Sequence, residues 1–283
     1  MNIENIVITS HSKRIRQFIN NYFDNFNINK RFMNCGILLM NANINNHKEI
    51  NIKLVYRGES DINEKREPSL YYDIDEFNNL NLKSTKLIIP VGLNIYFIRH
   101  AQGFHNLNNT IIKKLDSIKK KYILKDPQLT LIGNEQAKRT GQFLLNNIPN
   151  ITIKTLYMCS ILLRTRETIS NILSELNIFN QDIYVLPCSH EISNFKLPEN
   201  FIINSGKCIN KVSNRFVYKC DVITSKNGVH RFIWDYFSKI KKDNDNKCSQ
   251  TNMVYEAYLL YALIINKDDE FVNLLRDKLR QII

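Results

Sequence analysis

The segment Asn94-Ile95-Tyr96-Phe97-Ile98-Arg99-His100 constrains the fold more than any other part of the chain. Its apolar stretch is β-branched and aromatic, and it reads as a buried strand. It stops abruptly at Arg-His and gives way to the loop Ala101-Gln102-Gly103-Phe104-His105-Asn106. Open α/β sheets bind ligands beyond the carboxyl ends of their strands, so a cation and an imidazole are delivered to a binding edge. Arginine offers a planar fork to phosphate oxygens, and a neutral imidazole can attack phosphorus. Taken alone, Arg99-His100 reads more readily as a strand end with two solvated polar residues. The rest of the chain reverses that.

Further elements flank this strand. Ile3 to Thr9 reads as a short strand ending at Ser10-His11-Ser12, followed by an amphipathic helix to about Phe23. Gly36 to Met40 and Ile50 to Tyr56 form a strand pair around an Asn-rich turn, and Arg57 to Lys86 is mixed and polar, a loop with a little local structure. A helix to about Lys121 is expected after the Arg-His loop. Thr130 is a plausible N-cap for a helix to about Asn146, with Gly133 in its first turn. Ile151 to Tyr157 is expected as a strand, Leu162 to Leu176 as a helix and Ile183 to Leu186 as a strand. An irregular stretch from about Asn194 to Lys219 precedes a mainly helical remainder. Strands alternating with helices imply a three-layer α/β/α fold with a mainly parallel central sheet, and the C-terminal third supplies a helical cap.

With 283 residues the chain can bury a sizeable core, and 43% hydrophobic with 23% charged residues suits a globular protein. The net charge of +12 attracts phosphorylated molecules, nucleic acid or anionic membranes alike. Part of it reflects a compositional bias towards Asn, Ile and Lys, and the lysine groups read as solvated helix faces. No nucleic-acid-binding motif accompanies them, so nucleic acid is not an expected partner. The six cysteines include no C-x-x-C pair and suggest neither a zinc site nor a disulfide framework. The N-terminus shows no signal-peptide pattern, and the longest apolar run, around Ala257 to Ile265, is too short to cross a bilayer. A cytoplasmic protein that does not engage membranes is expected.

Four segments carry the chemistry: Arg99 to Asn106; Asp126-Pro127-Gln128-Leu129-Thr130-Leu131-Ile132-Gly133-Asn134-Glu135-Gln136-Ala137; Ser160-Ile161-Leu162-Leu163-Arg164-Thr165-Arg166-Glu167-Thr168; and Cys188-Ser189-His190-Glu191. In this order and spacing, over roughly residues 93 to 192, they resemble the histidine phosphatase superfamily, the phosphoglycerate-mutase-like proteins. The resemblance implies phosphoryl transfer through a phosphohistidine, without metal or other cofactor. Charge neutralisation and in-line positioning are most of what such a transfer needs. His100 would be the nucleophile. Arg99 and Arg164 could clamp the phosphate oxygens, with Arg164 at a helix start adding positive potential. Asn106 could donate an amide hydrogen to the same group, and Glu191 would protonate the leaving oxygen. Plainer readings stand beside these: Asn106 as a helix cap, Arg164 as a surface residue, His190 as the donor in place of Glu191. Arg166 should point away from Arg164. Thr130, Gly133 and Gln136 read as structural. His105, His47 and His230 suggest no role.

The family also has a second histidine, closing a strand late in the chain. Downstream, Asp221-Val222-Ile223-Thr224-Ser225-Lys226-Asn227-Gly228 has the right shape, but Lys226 holds the histidine position. Upstream, Asn5-Ile6-Val7-Ile8-Thr9-Ser10-His11-Ser12 matches better, with His11 intact. A circular permutation reconciles the order. Residues 1–85 would be the family's C-terminal part moved to the front, 90–192 the core motifs and 195–283 cap and helices, within a single domain of residues 1–283. The strand ending at His11 should then lie parallel beside the strand ending at His100, with both rings facing one pocket.

The activity expected first is hydrolysis of a phosphate monoester on a phosphorylated small molecule or phosphoprotein. A phosphomutase and an inactive, ligand-binding pseudophosphatase are the alternatives. Ala101-Gln102-Gly103 departs from the Gly-Glu-Ser/Thr usual in mutases.

Overall fold

A computed structural model describes residues 3–43, 49–60, 68–78, 80–82, 89–107, 127–160, 162–179, 181–186 and 215–218. Within them the chain forms β1 (Asn5–Ser10), α1 (Ser12–Tyr22), β2 (Phe23–Asp24), β3 (Ile37–Ala42), β4 (Ile50–Tyr56) and β5 (Asn81–Leu82). These are followed by β6 (Asn94–Arg99), α2 (Leu131–Asn147), β7 (Thr155–Ser160), α3 (Leu163–Glu175), β8 (Asp182–Leu186) and β9 (Arg215–Tyr218). Seven strands make the central sheet in the order β4-β3-β6-β1-β7-β8-β9, and β2 pairs separately with β5. β6, β1, β7, β8 and β9 run parallel, while β3 runs antiparallel to both β6 and β4.

The period-2 alternation of the central strands sorts their side chains into two cores. Ile6 and Ile8, Ile95 and Phe97, and Leu156 and Met158 pack with Ile15, Phe18 and Ile19 of α1. Val7, Tyr96, Ile98, Tyr157 and Cys159 pack instead with Leu144 of α2 and with Ile169, Ile172 and Leu173 of α3. One helix thus covers one face and two cover the other, giving three α/β/α layers. All six residues of β1 are buried, as expected of a strand sandwiched between two others and two helical layers.

Local differences from the sequence reading have physical reasons. The strand expected from Ile151 begins only at Thr155. Asn150 adopts a positive φ of 57°, and the amides of Ile153 and Lys154 both donate to its carbonyl, so residues 151–154 turn instead of extending. Ile151 still buries its side chain in the second core. Within the stretch expected to be irregular, Arg215–Tyr218 adds a strand at the sheet edge beside β8. Among the described residues of 57–86, Tyr71, Tyr72 and Phe77 are buried. The expected helix to Lys121, Lys226, His230 and His47 lie outside the described residues, as does the cap at 195–283 apart from Arg215–Tyr218.

Candidate active site

Three neighbouring parallel strands end together at one edge of the sheet. The register pairs Ser10 with Arg99 and Thr9 with Cys159, so the residues just beyond, His11 and His100, lie side by side with Ser160 next to them. The His100 amide continues the ladder by donating to the Ser10 carbonyl at 2.9 Å. β1 leads into α1 on one face of the sheet, whereas β7 leads into α3 on the other. Chains that part to opposite faces leave a crevice at the strand ends, the general location of ligand sites in such sheets.

The His11 and His100 ring centroids are 5.1 Å apart, and both residues are buried. His100 Nδ1 lies 2.7 Å from its neighbour's carbonyl, Ala101 O. A carbonyl only accepts, so Nδ1 carries the proton and Nε2 keeps its lone pair. Burial pushes the His100 imidazole well below its ordinary range, helped by the positive charges of Arg164 and Arg99 and by His105, and opposed by the Ala101 carbonyl. The ring is therefore neutral at neutral pH, the form a nucleophile needs.

Arg164 is buried in the first turn of α3. Its Nη2 donates to His11 Nδ1 at 3.3 Å, while His11 Nε2 lies 3.0 Å from Ser160 Oγ. A guanidinium only donates, so His11 accepts at Nδ1 and offers its Nε2 proton to Ser160. α1 starts directly after His11, and His11 makes no side-chain cap to it. Two helix N-termini, α1 and α3, thus point positive potential at the same strand ends.

Arg99 is half-buried and donates from Nη1 to the Phe32 carbonyl at 2.5 Å. Arg16 of α1 grips the same loop at the carbonyls of Ile28 and Lys30, at 2.5 and 3.0 Å. Asn106 sits in the short turn Phe104–Asn106, where its Oδ1 accepts from the Gly103 amide at 3.0 Å and its Nδ2 remains as a donor. The cap and donor readings of Asn106 are therefore compatible. Arg166 is buried, and its charge acts on the Cys159 thiol, which burial pushes up to about 12. Among the described residues, no group of three or more His, Cys, Asp or Glu is arranged to hold a metal ion. No helix among them is long and apolar enough to cross a membrane.

Of the six residues singled out from the sequence, His11, His100, Arg99 and Arg164 gather at this edge, and Asn106 lies in the turn that follows His100. Glu191, together with its alternative His190, lies outside the described residues. Three contributors were overlooked or undervalued. Thr168 Oγ1 accepts from the Ala101 amide at 3.0 Å and fixes the turn after His100. It stands four residues after Arg164, so the i,i+4 spacing of the third motif puts both on one helix face. Ser160, the first residue of that motif, meets His11. His105, set aside above, has its ring 5.5 Å from that of His100.

The family model described as histidine phosphatase superfamily (branch 1) matches residues 95–196. Over that segment the chain is similar to the histidine phosphatase superfamily, and the mixed, mostly parallel α/β sheet is consistent with that fold. No curated protein and no solved structure matches the chain.

Proposed function

We propose that the protein hydrolyses a phosphate monoester through a phosphohistidine on His100, without a metal. The observation that carries this reading is the convergence of His11 and His100, 5.1 Å apart, with Arg164 against His11. The superfamily match supports phosphoryl transfer through histidine in general. In the first step, the lone pair on His100 Nε2 attacks phosphorus in line and the ester P–O bond breaks. Glu191 gives its proton to the departing oxygen, a role that rests on the resemblance alone. In the second step water attacks the phosphohistidine, the P–N bond breaks, and the proton of the water returns to Glu191. Arg164, Arg99, the Asn106 amide and His11 hold the phosphoryl oxygens throughout, stabilising charge where it accumulates.

Within this reading, residues 1–85 fill the place of the family's C-terminal part, and His11 is the second histidine. The substrate is a phosphorylated small molecule or phosphoprotein. The cytoplasm is the proposed location, in keeping with the free thiols of the buried Cys35 and Cys159.

Turnover of an aryl phosphate by the parent and by three variants tests the assignment. His100→Ala and His11→Ala should each lose about a thousandfold or more in kcat. Lys226→Ala should stay within about twofold. Brief mixing with labelled substrate should leave an acid-labile label on His100. Undiminished turnover in His11→Ala would remove that residue from the machinery. A parent that binds phosphate without turnover is a pseudophosphatase, and one that returns phosphate to a second hydroxyl instead of water is a mutase.

A further inference from the structure

His105 has no part in the steps above, yet its surroundings are specific. It occupies the turn Phe104–Asn106, one residue before Asn106, with its ring centroid 5.5 Å from that of His100. Its Nδ1 is buried and has no hydrogen-bond partner among the described residues. The ring folds back over Gly103, where an added Cβ would meet Nδ1 at 2.8 Å and Cε1 at 3.0 Å. Gly103 has an ordinary φ of −99°, so the backbone does not demand glycine there. The space taken by the imidazole does. A buried ring nitrogen left unsatisfied is costly, and native structures supply such groups with a partner from protein, water or ligand.

We propose that His105 is a third imidazole of this site and donates a hydrogen bond from Nδ1 to an oxygen of the phosphoryl group that His100 attacks. The proposal rests on the phosphohistidine reading. A dianionic phosphoryl oxygen only accepts, so Nδ1 must carry a proton in the complex. The charged groups acting on the ring are Arg164 at the start of α3 and Arg99 at the end of β6, with neutral His100 beside it. Burial and then these two guanidiniums lower the His105 imidazole to about 3. A bound dianion offsets both guanidiniums and favours the imidazolium, so the anion and a proton bind together. Gly103 and His105 act as a pair: the glycine clears the space, and the histidine uses it to reach the ligand.

Inorganic phosphate provides the probe, titrated calorimetrically between pH 5.5 and 8 into the parent, His105→Gln and Gly103→Ala. Phosphate titrates in this range itself, but the variant-to-parent ratio of Kd at each pH cancels that contribution. For His105→Gln the ratio should be about tenfold at pH 5.5, as expected for losing a hydrogen bond to a charged group, and should shrink towards pH 8. Gly103→Ala keeps the histidine but displaces its ring, and should weaken phosphate binding in the same direction. Thermal melts of both variants establish that they are folded. A ratio of one at every pH for His105→Gln overturns the proposal. If His100 still takes up label in that protein, the phosphohistidine reading survives. A parent that neither binds phosphate nor labels at His100 overturns both.

Discussion

Burying an imidazole between guanidiniums changes the pH at which it takes a proton, and the stability of the fold must follow. His100 is held well below its ordinary value by burial, Arg164 and Arg99, and His105 is lowered to about 3 by the same causes. In the unfolded chain both protonate as pH falls through about 6.5. The folded protein does not follow them, so their contribution is complete above about 6.5 and is lost as pH falls below it. For the fully buried His100 the loss approaches about 1.4 kcal/mol per pH unit within that window. The melting temperature should therefore be level from pH 8 to 7 and fall from 6.5 to 5, before most carboxylates titrate. His100→Asn combined with His105→Gln should flatten that fall, and an unchanged slope would show that other groups set it. At this scale the sequence was informative where residue types formed a spaced pattern. Arg99-His100 and the Arg164-to-Thr168 spacing were readable for that reason. His105 was not, because its meaning depends on its ring packing over Gly103, which no linear pattern records.

The elements that hold the site are joined through small groups at their ends. Thr130 caps α2 by accepting from the Gly133 amide at 3.0 Å, and its hydroxyl donates to Gln102 Oε1 at 2.8 Å. Gln136 Oε1 of the same helix accepts from the Gln102 amide at 3.0 Å. α2 thereby clamps the loop that follows His100. Thr130→Ala removes both side-chain bonds and should cost about 1–2 kcal/mol, read as a lower denaturation midpoint at unchanged m. Gly133→Ala should be worse, because its Cβ would stand 2.1 Å from the Gln102 carbonyl, a backbone atom that cannot yield cheaply. That variant should lose turnover as well as stability, since Gln102 lies two residues from the nucleophile. Turnover equal to the parent's would show that the loop position tolerates the shift. The Thr130 cap and the amphipathic α1 were legible because capping chemistry and helical period are local. The start of β7 was not, because Ile151 has strand-like character while Asn150 turns the backbone through positive φ. β9 was missed because four residues, Arg215-Phe216-Val217-Tyr218, are too few to establish a period.

Across the whole molecule, the order of strands in space departs from their order in the chain, and β1 is where they part. β1 lies between β6 and β7, pairing Asn5 with Asn94 on one side and with Thr155 on the other. The segment carrying the superfamily match therefore has its β6 and β7 separated by a strand made before it. The alternation of strands and helices announced the layered architecture, and the intact Ser10-His11 announced that the N-terminal strand belonged near His100. The full neighbour order was not legible, because pairings between residues so far apart leave no mark on local periodicity. Two arrangements make opposite predictions. If residues 1–88 were an appendage, residues 89–283 would fold alone, with a cooperative melt and phosphate binding. With β1 as an inner strand, residues 89–283 alone expose the facing edges of β6 and β7 and lack the Ile6, Val7 and Ile8 side chains of both cores. They should then show no cooperative melt and bind no phosphate. Adding a separate 1–88 polypeptide should restore both, slowly, because every restored pairing is non-local. A cooperative melt from residues 89–283 alone would refute the inner position of β1 and, with it, the supply of His11 to the site.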